Sequence, residues 1–237
     1  MVGVTLAATR NILLNQGDII MALLEFARGE GLQIAVLIFA AGLIWRLVHL
    51  LLTIRQKDIS EARQGGEKAG GLRTIFSRFV HHDAFRERTR NGTIIAYTFH
   101  IGLAIIFLGG APHILFIESF SGLSWSPLPT VVIHVTAAIT LAALIAAFVR
   151  RLLHPVLQML SNFDDYFSWL VTILPVLTGL LAVAHIGGRY ETLLAIHILS
   201  FEAFLIWFPF GKLMHSIIVF GSRYTTGVTF TRRGARV

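Results

Sequence analysis

Ten histidines and no cysteine define the chemistry open to this 237-residue chain. Without thiols it has no route to disulfides, thiolate zinc sites, cysteine nucleophiles or iron–sulfur ligands of its own, so metal chemistry falls to imidazole. Location sorts the ten. His81, His82 and His154 fall in charged connections, and His49 sits beside Arg46 at the end of an apolar stretch, where imidazoles are ordinary surface groups. His100, His113, His134, His185, His197 and His215 lie within or at the ends of long apolar stretches, where a histidine must face protein, water or a metal.

His197 and His215 carry the most informative spacing. On one continuous helix their separation is five whole turns, so both rings are predicted to leave the same face about 27 Å apart. One helix would then offer an axial ligand to each of two stacked b haems, and each haem would need a second imidazole from a facing helix. His100 lies at the depth of His215. For His197, His113 has a suitable depth, about 20 Å beyond His100, but on an ideal helix it is about 140° out of phase. Gly109, Gly110 and Pro112 intervene and permit a kink or change of winding. His134 and His185 lie at comparable depth and stay open as alternatives.

The elements that must hold these rings are membrane helices. With 55% apolar and 14% charged residues and a mean hydropathy of +0.72, an ordinary soluble enzyme is excluded. Spans are predicted near Leu32–Ile54, Thr93–Ser119, Pro129–Val149, Tyr166–Gly187 and Leu193–Phe220. Apolar residues surround each segment on all sides, which fits lipid-embedded helices and not barrel strands, so the expected fold is an all-α bundle of five transmembrane helices. Residues 1–31, interrupted by Arg10, Asn11, Asn15, Gln16 and Asp18, read as an interfacial N-terminal segment without the features of a cleaved signal. The membrane domain is then 32–220, and 221–237 is a tail.

Basic residues set the expected orientation. The 55–92 connection holds nine Lys and Arg, Arg150 and Arg151 follow the third span, and the tail adds Arg223, Arg232, Arg233 and Arg236. Only Arg10, Arg28 and Arg189 fall on the other side. The N-terminus is therefore expected outside and the C-terminus in the cytoplasm, in the inner (cytoplasmic) membrane of a cell. This asymmetry accounts for most of the +7 net charge, so no nucleic-acid partner is expected. The 55–92 segment, with Gly65-Gly66 and Gly70-Gly71, reads as a polar loop on the cytoplasmic face, free in solvent or against a soluble partner. No inverted repeat is visible, which speaks against a secondary transporter.

The segments Phe99-His100-Ile101-Gly102-Leu103, Phe107-Leu108-Gly109, Ile196-His197 and Phe208-Pro209-Phe210-Gly211-Lys212-Leu213-Met214-His215 resemble the cytochrome b (gamma) subunit of respiratory nitrate reductase. They are similar also to the membrane cytochromes of sulfite-reductase-associated and heterodisulfide-reductase-like complexes. The resemblance implies two b haems, quinol oxidation near the outer one, and electron transfer to a cytoplasmic iron–sulfur subunit. It places His100 and His215 at the inner haem and His197 at the outer. The family's remaining ligand position falls on Gly110, with His113 three residues later as the substitute. The lysine that the nitrate reductase branch carries at the start of the third span has no counterpart around Trp125–Thr130, so the resemblance points to a divergent relative.

Glu202 is the acidic residue deep in a span, five residues beyond His197. An intramembrane carboxyl needs a reason. It is expected to take protons from quinol or to hydrogen-bond a ligating imidazole. Two other functions compete with a haem-bearing electron carrier. One is a proton channel or transporter relaying through histidines, and the other a cofactor-free membrane anchor. The spans' scarcity of Ser, Asn, Gln and Asp disfavours the first.

Overall fold

The computed structural model describes residues 17–53, 61–63, 65–80 and 83–235. Helix dominates, and no strand occurs among the described residues. Five helices are long and apolar enough to cross a bilayer: α1 (Gly17–Leu52), α3 (Asp83–Gly109), α5 (Thr130–Leu153), α7 (Phe163–Ala184) and α8 (Tyr190–Trp207). The shorter helices are α2 (Glu67–Ser77), α4 (Ala111–Ser121), α6 (Pro155–Leu160) and α9 (His215–Arg232). Leu37, Ile44, Ile101, Val131 and Ile139 are each more than half exposed, as side chains facing lipid would be.

The spans pack in the order α3, α5, α7, α8, α1. Small residues bring the helices close, as in other membrane bundles. A Cβ on Gly102 of α3 would lie 1.9 Å from the Thr140 hydroxyl of α5, so only glycine fits there. Gly42 of α1 likewise accepts Pro209, whose ring would be 2.6 Å from a Cβ at that position. The first span thus lies against α8, on the outside of the bundle. Among the described residues no packed seam joins α3 to α8, and the bundle stays open between them.

Three sequence expectations need correction. The fifth span is not one helix from 193 to 220: α8 ends at Trp207, a turn covers 208–211, Lys212–Met214 form a 3₁₀ turn, and His215 opens α9. Pro209 has no N–H for a helix ladder, and Gly211 adopts an extended backbone. The second expected span is also two helices, because Gly110 is extended (φ −75°, ψ 126°) between α3 and α4, and Pro112 sits in the first turn of α4. Finally, the polar stretch before Leu32 is continuous with the first span from Gly17 onward, the two joined by a π-helical turn at Ala27–Gly31. Residues 1–16 lie outside the described residues.

The glycines of the polar connection are packing residues. Helix α2 runs antiparallel to α9. A Cβ on Gly71 would lie 2.6 Å from the Tyr224 ring, and one on Gly227 2.5 Å from the Gly70 carbonyl. Arg223 stacks over Phe79 at 4.5 Å and donates to the Ile75 carbonyl, while Arg232 pairs with Glu67 at 3.3 Å. Part of the 55–92 connection and most of the tail therefore form one helical hairpin. Arg55, Lys57, His81, His82 and Arg236 lie outside the described residues.

Candidate functional site

The gap between α3 and α8 is framed by two histidine pairs. His100 of α3 faces His215 at the start of α9, with ring centroids 6.1 Å apart and planes at 88°. His113 of α4 faces His197 of α8, also at 6.1 Å, with planes at 29°. Between the two levels Phe107 and Phe201 approach across the same gap at 6.1 Å.

Each imidazole is held through Nδ1. His100 donates to the Ala96 carbonyl at 2.8 Å, His113 to the Ile106 carbonyl at 3.0 Å and His215 to the Lys212 carbonyl at 2.7 Å. A carbonyl only accepts, so in all three the proton resides on Nδ1 and the Nε2 lone pair is left free. His197 Nδ1 lies 3.3 Å from the Thr178 hydroxyl, whose own proton goes to the Leu174 carbonyl at 2.7 Å. The imidazole is therefore the donor there too. Ser200 closes this group, 3.0 Å from Thr178 and donating to the His197 carbonyl at 2.7 Å. Gly179 lets the ring lie against α7, since a Cβ there would be 3.1 Å from it.

His113 reaches the site by the break at Gly110 and not by overwinding a continuous helix. The Ile106 carbonyl receives both the Gly110 N–H, at 3.1 Å, and the His113 ring N–H. A Cβ at 110 would stand 2.9 Å from that carbonyl and 3.2 Å from the ring. Glycine at this position therefore clears the hydrogen bond that orients His113. His134, on α5, and His185, which caps α7 with φ 54° and lies 5.2 Å from the Tyr190 ring, enter no histidine pair among the described residues. His49 stacks on Trp45 at the far end of α1.

Glu202 is 6% exposed, and its Oε1 has no hydrogen-bond partner. It points to α1: a Cβ on Gly31, in the π-turn, would lie 2.9 Å from Oε2. π-turns recur at functional sites, and this one lets the α1 backbone close over the carboxyl. Among the described residues no hydrogen bond joins Glu202 to an imidazole, and His197 Nδ1 lies beside Thr178 instead. Thr178, Ser200 and Gly179 are site residues that the sequence pattern did not mark. Hydroxyl and glycine residues are common in membrane spans, and the positions of Thr178 and Gly179 on α7 and of Ser200 on α8 have no chemistry of their own.

Among the described residues, no three His, Asp or Glu side chains gather to hold a bare metal ion. A haem brings four nitrogens itself and asks the protein for two. Metal–imidazole bonds of about 2 Å put the ring centres of two opposed ligands roughly 6 Å apart. Both pairs meet that requirement, their Nε2 lone pairs are free, and the Phe107 and Phe201 rings lie between the two levels. The residues present fit b haem.

No family model matches the chain, and no solved structure matches it. A protein of Nitratidesulfovibrio vulgaris (strain Hildenborough), named simply "Protein", is 34% identical over 143 residues, which are 60% of this chain and 63% of that one. The match therefore spans less than two thirds of the relative's length.

Proposed function

We propose that the chain is the haem b-bearing membrane subunit of a respiratory redox complex, moving electrons between membrane quinone and a cytoplasmic iron–sulfur subunit. The observation that carries this reading is the pair of opposed imidazoles at each of two levels, four rings with Nδ1 engaged and Nε2 free. His100 and His215 would hold one haem, and His113 and His197 the other. A bound b haem supplies a one-electron carrier. The chain's part is to fix each imidazole's tautomer and direction through Nδ1 and to line the gap with apolar rings that exclude water. A proton relay would need titratable groups strung along a wet path, and a cofactor-free anchor would have no use for four oriented imidazoles.

The residue pattern supports placing the chain as a divergent relative of the sulfite-reductase-associated and heterodisulfide-reductase-like membrane cytochromes. The distribution of Lys and Arg supports an outside N-terminus and cytoplasmic C-terminus in the inner membrane. The His100/His215 level then lies toward the cytoplasm, and the α2–α9 hairpin covers that side. We assign the iron–sulfur partner to this basic hairpin. Removing residues from Arg223 onward takes away the Tyr224 and Gly227 contacts to α2. The truncated chain is expected to keep its haem and to lose the partner on affinity purification. Retention of the partner would leave the basic residues as a topological signal alone.

Quinol oxidation releases protons, and Glu202 is the buried carboxyl available to take one. A reduced short-chain quinone added to membranes is expected to reduce the b haem within a stopped-flow trace. Glu202→Gln is expected to slow that reduction by about 10²-fold, within the usual range for a lost acid–base group, with haem content unchanged. Haem that dithionite reduces but no quinol does would contradict the quinone reading.

A further inference from the structure

We propose that Asp164, Asp165 and Lys212 form a strap whose function is to orient His215 and so to set the properties of the haem it holds. This rests on the haem reading above. The acceptors for the other rings belong to helices: Ala96 is in α3 and precedes His100 by one turn, Ile106 is also in α3, and Thr178 is in α7. The acceptor for His215 is different. The Lys212 carbonyl lies in the short turn between α8 and α9, where no long helical ladder fixes its direction.

Its direction is fixed instead from another span. The Lys212 N–H donates to Asp164 Oδ1 at 3.1 Å, and the Lys212 ammonium pairs with Asp165 Oδ2. Asp164 is itself held by the Ser168 hydroxyl at 2.8 Å, which accepts from the Trp207 indole N–H at 3.0 Å. Asp165 is 8% exposed and is also paired with Arg151 at 2.8 Å. Gly211 has no room for a side chain, as a Cβ would lie 2.3 Å from Trp207 Nε1 and 2.9 Å from Asp164 Oδ1. Both sides of Lys212, backbone and side chain, are thus anchored to the start of α7, and its carbonyl accepts from His215 through both the backbone N–H and the ring Nδ1.

Capping alone does not explain this arrangement. The start of α7 is closed by Asn162 and Asp165, which exchange backbone and side-chain bonds at 3.4 and 3.0 Å. The contacts to Lys212 are additional. A buried carboxylate with two cationic partners is costly to assemble, and here it ties the turn before α9 to the start of α7. Hydrogen bonds to the far nitrogen of a ligating imidazole govern both its basicity and its ring angle, and through them the potential of the iron.

The test uses the full chain with its native partners in membranes, comparing the parent with Asp164→Ala, Lys212→Met and Asp164→Asn by haem content, redox titration and low-temperature electron paramagnetic resonance. In the first two variants the haem assigned to His100 and His215 is expected to shift in midpoint potential and in spectral line shape. The other haem should keep both values, and haem content should stay at the parent's level. Asp164→Asn, which retains an oxygen acceptor for the Lys212 N–H, should restore the parent signal. Unchanged potential and line shape in both Asp164→Ala and Lys212→Met, with two haems present, would overturn the strap while leaving the electron-carrier reading intact. Equal shifts at both haems would do the same. A parent chain without haem would overturn both.

Discussion

Alanine at His100 or at His215 is expected to remove one haem and to remove the same one. The two rings face each other at 6.1 Å across an apolar gap, so neither has a neighbouring ligand to take its place. A water in place of the lost imidazole would have to be held there at the cost of burying a polar group. Haem content should fall from two per chain to one in either variant and in the double variant, since the second substitution removes a ligand from an already empty site. The spectrum should say which haem is lost. If a bound haem keeps these ring angles, planes at 88° would leave the iron orbitals nearly degenerate and the resonance strongly anisotropic. Planes at 29° would separate those orbitals and give an ordinary rhombic resonance. The anisotropic signal is therefore the one expected to disappear. Loss of the rhombic signal would mean that the pairs are exchanged, and full haem content in both single variants would refute the pairing.

The second large effect is expected at the other level. His113→Ala should likewise reduce two haems to one, this time with the rhombic signal lost. Gly110→Val should approach the same result without touching a ligand. A Cβ at 110 already meets the Ile106 carbonyl at 2.9 Å and the His113 ring at 3.2 Å, and a branched side chain adds to that conflict. The bond from His113 to Ile106 would break, and the ring would turn from His197. Retention of both haems in Gly110→Val would show that the break between α3 and α4 tolerates a side chain and that orientation through Ile106 is dispensable. Should His113→Ala keep two haems, His134 and His185 would return as ligand candidates.

Much of the bundle was legible because hydropathy reports on the solvent directly. The five apolar stretches appear as five long helices, since a backbone in lipid must satisfy its own hydrogen bonds. That His100 faces His215 agrees with the matching depth read from the sequence, whereas the shared helix phase of His197 and His215 is replaced. Phase on one helix predicted that His197 and His215 share a face, yet Pro209 and Gly211 end α8 between them. The two rings serve the same gap because the turn delivers His215 to it. The Phe-Pro-Phe-Gly run was read as a motif, and its physical meaning is the turn itself.

Other features depend on contacts that local pattern does not carry. Gly70 and Gly71 read as loop residues by short-range chemistry, but in α2 they are the sites where α9 comes closest. Asp164 and Lys212 are 48 residues apart in sequence and meet only once α7 and the turn before α9 are in place. Glu202 was legible as a buried acid. That it faces Gly31 of α1, and not the ring of His197, follows from the direction of α8, which residue type does not disclose.

The central claim is that the chain binds two b haems between paired histidines, and pyridine haemochrome assay of the purified chain, with a dithionite-reduced minus oxidised spectrum of the same sample, tests it most directly. Two b haems per chain, both reducible and both low-spin, are the expected result. A chain that inserts in the membrane, purifies intact and carries no haem would contradict the account.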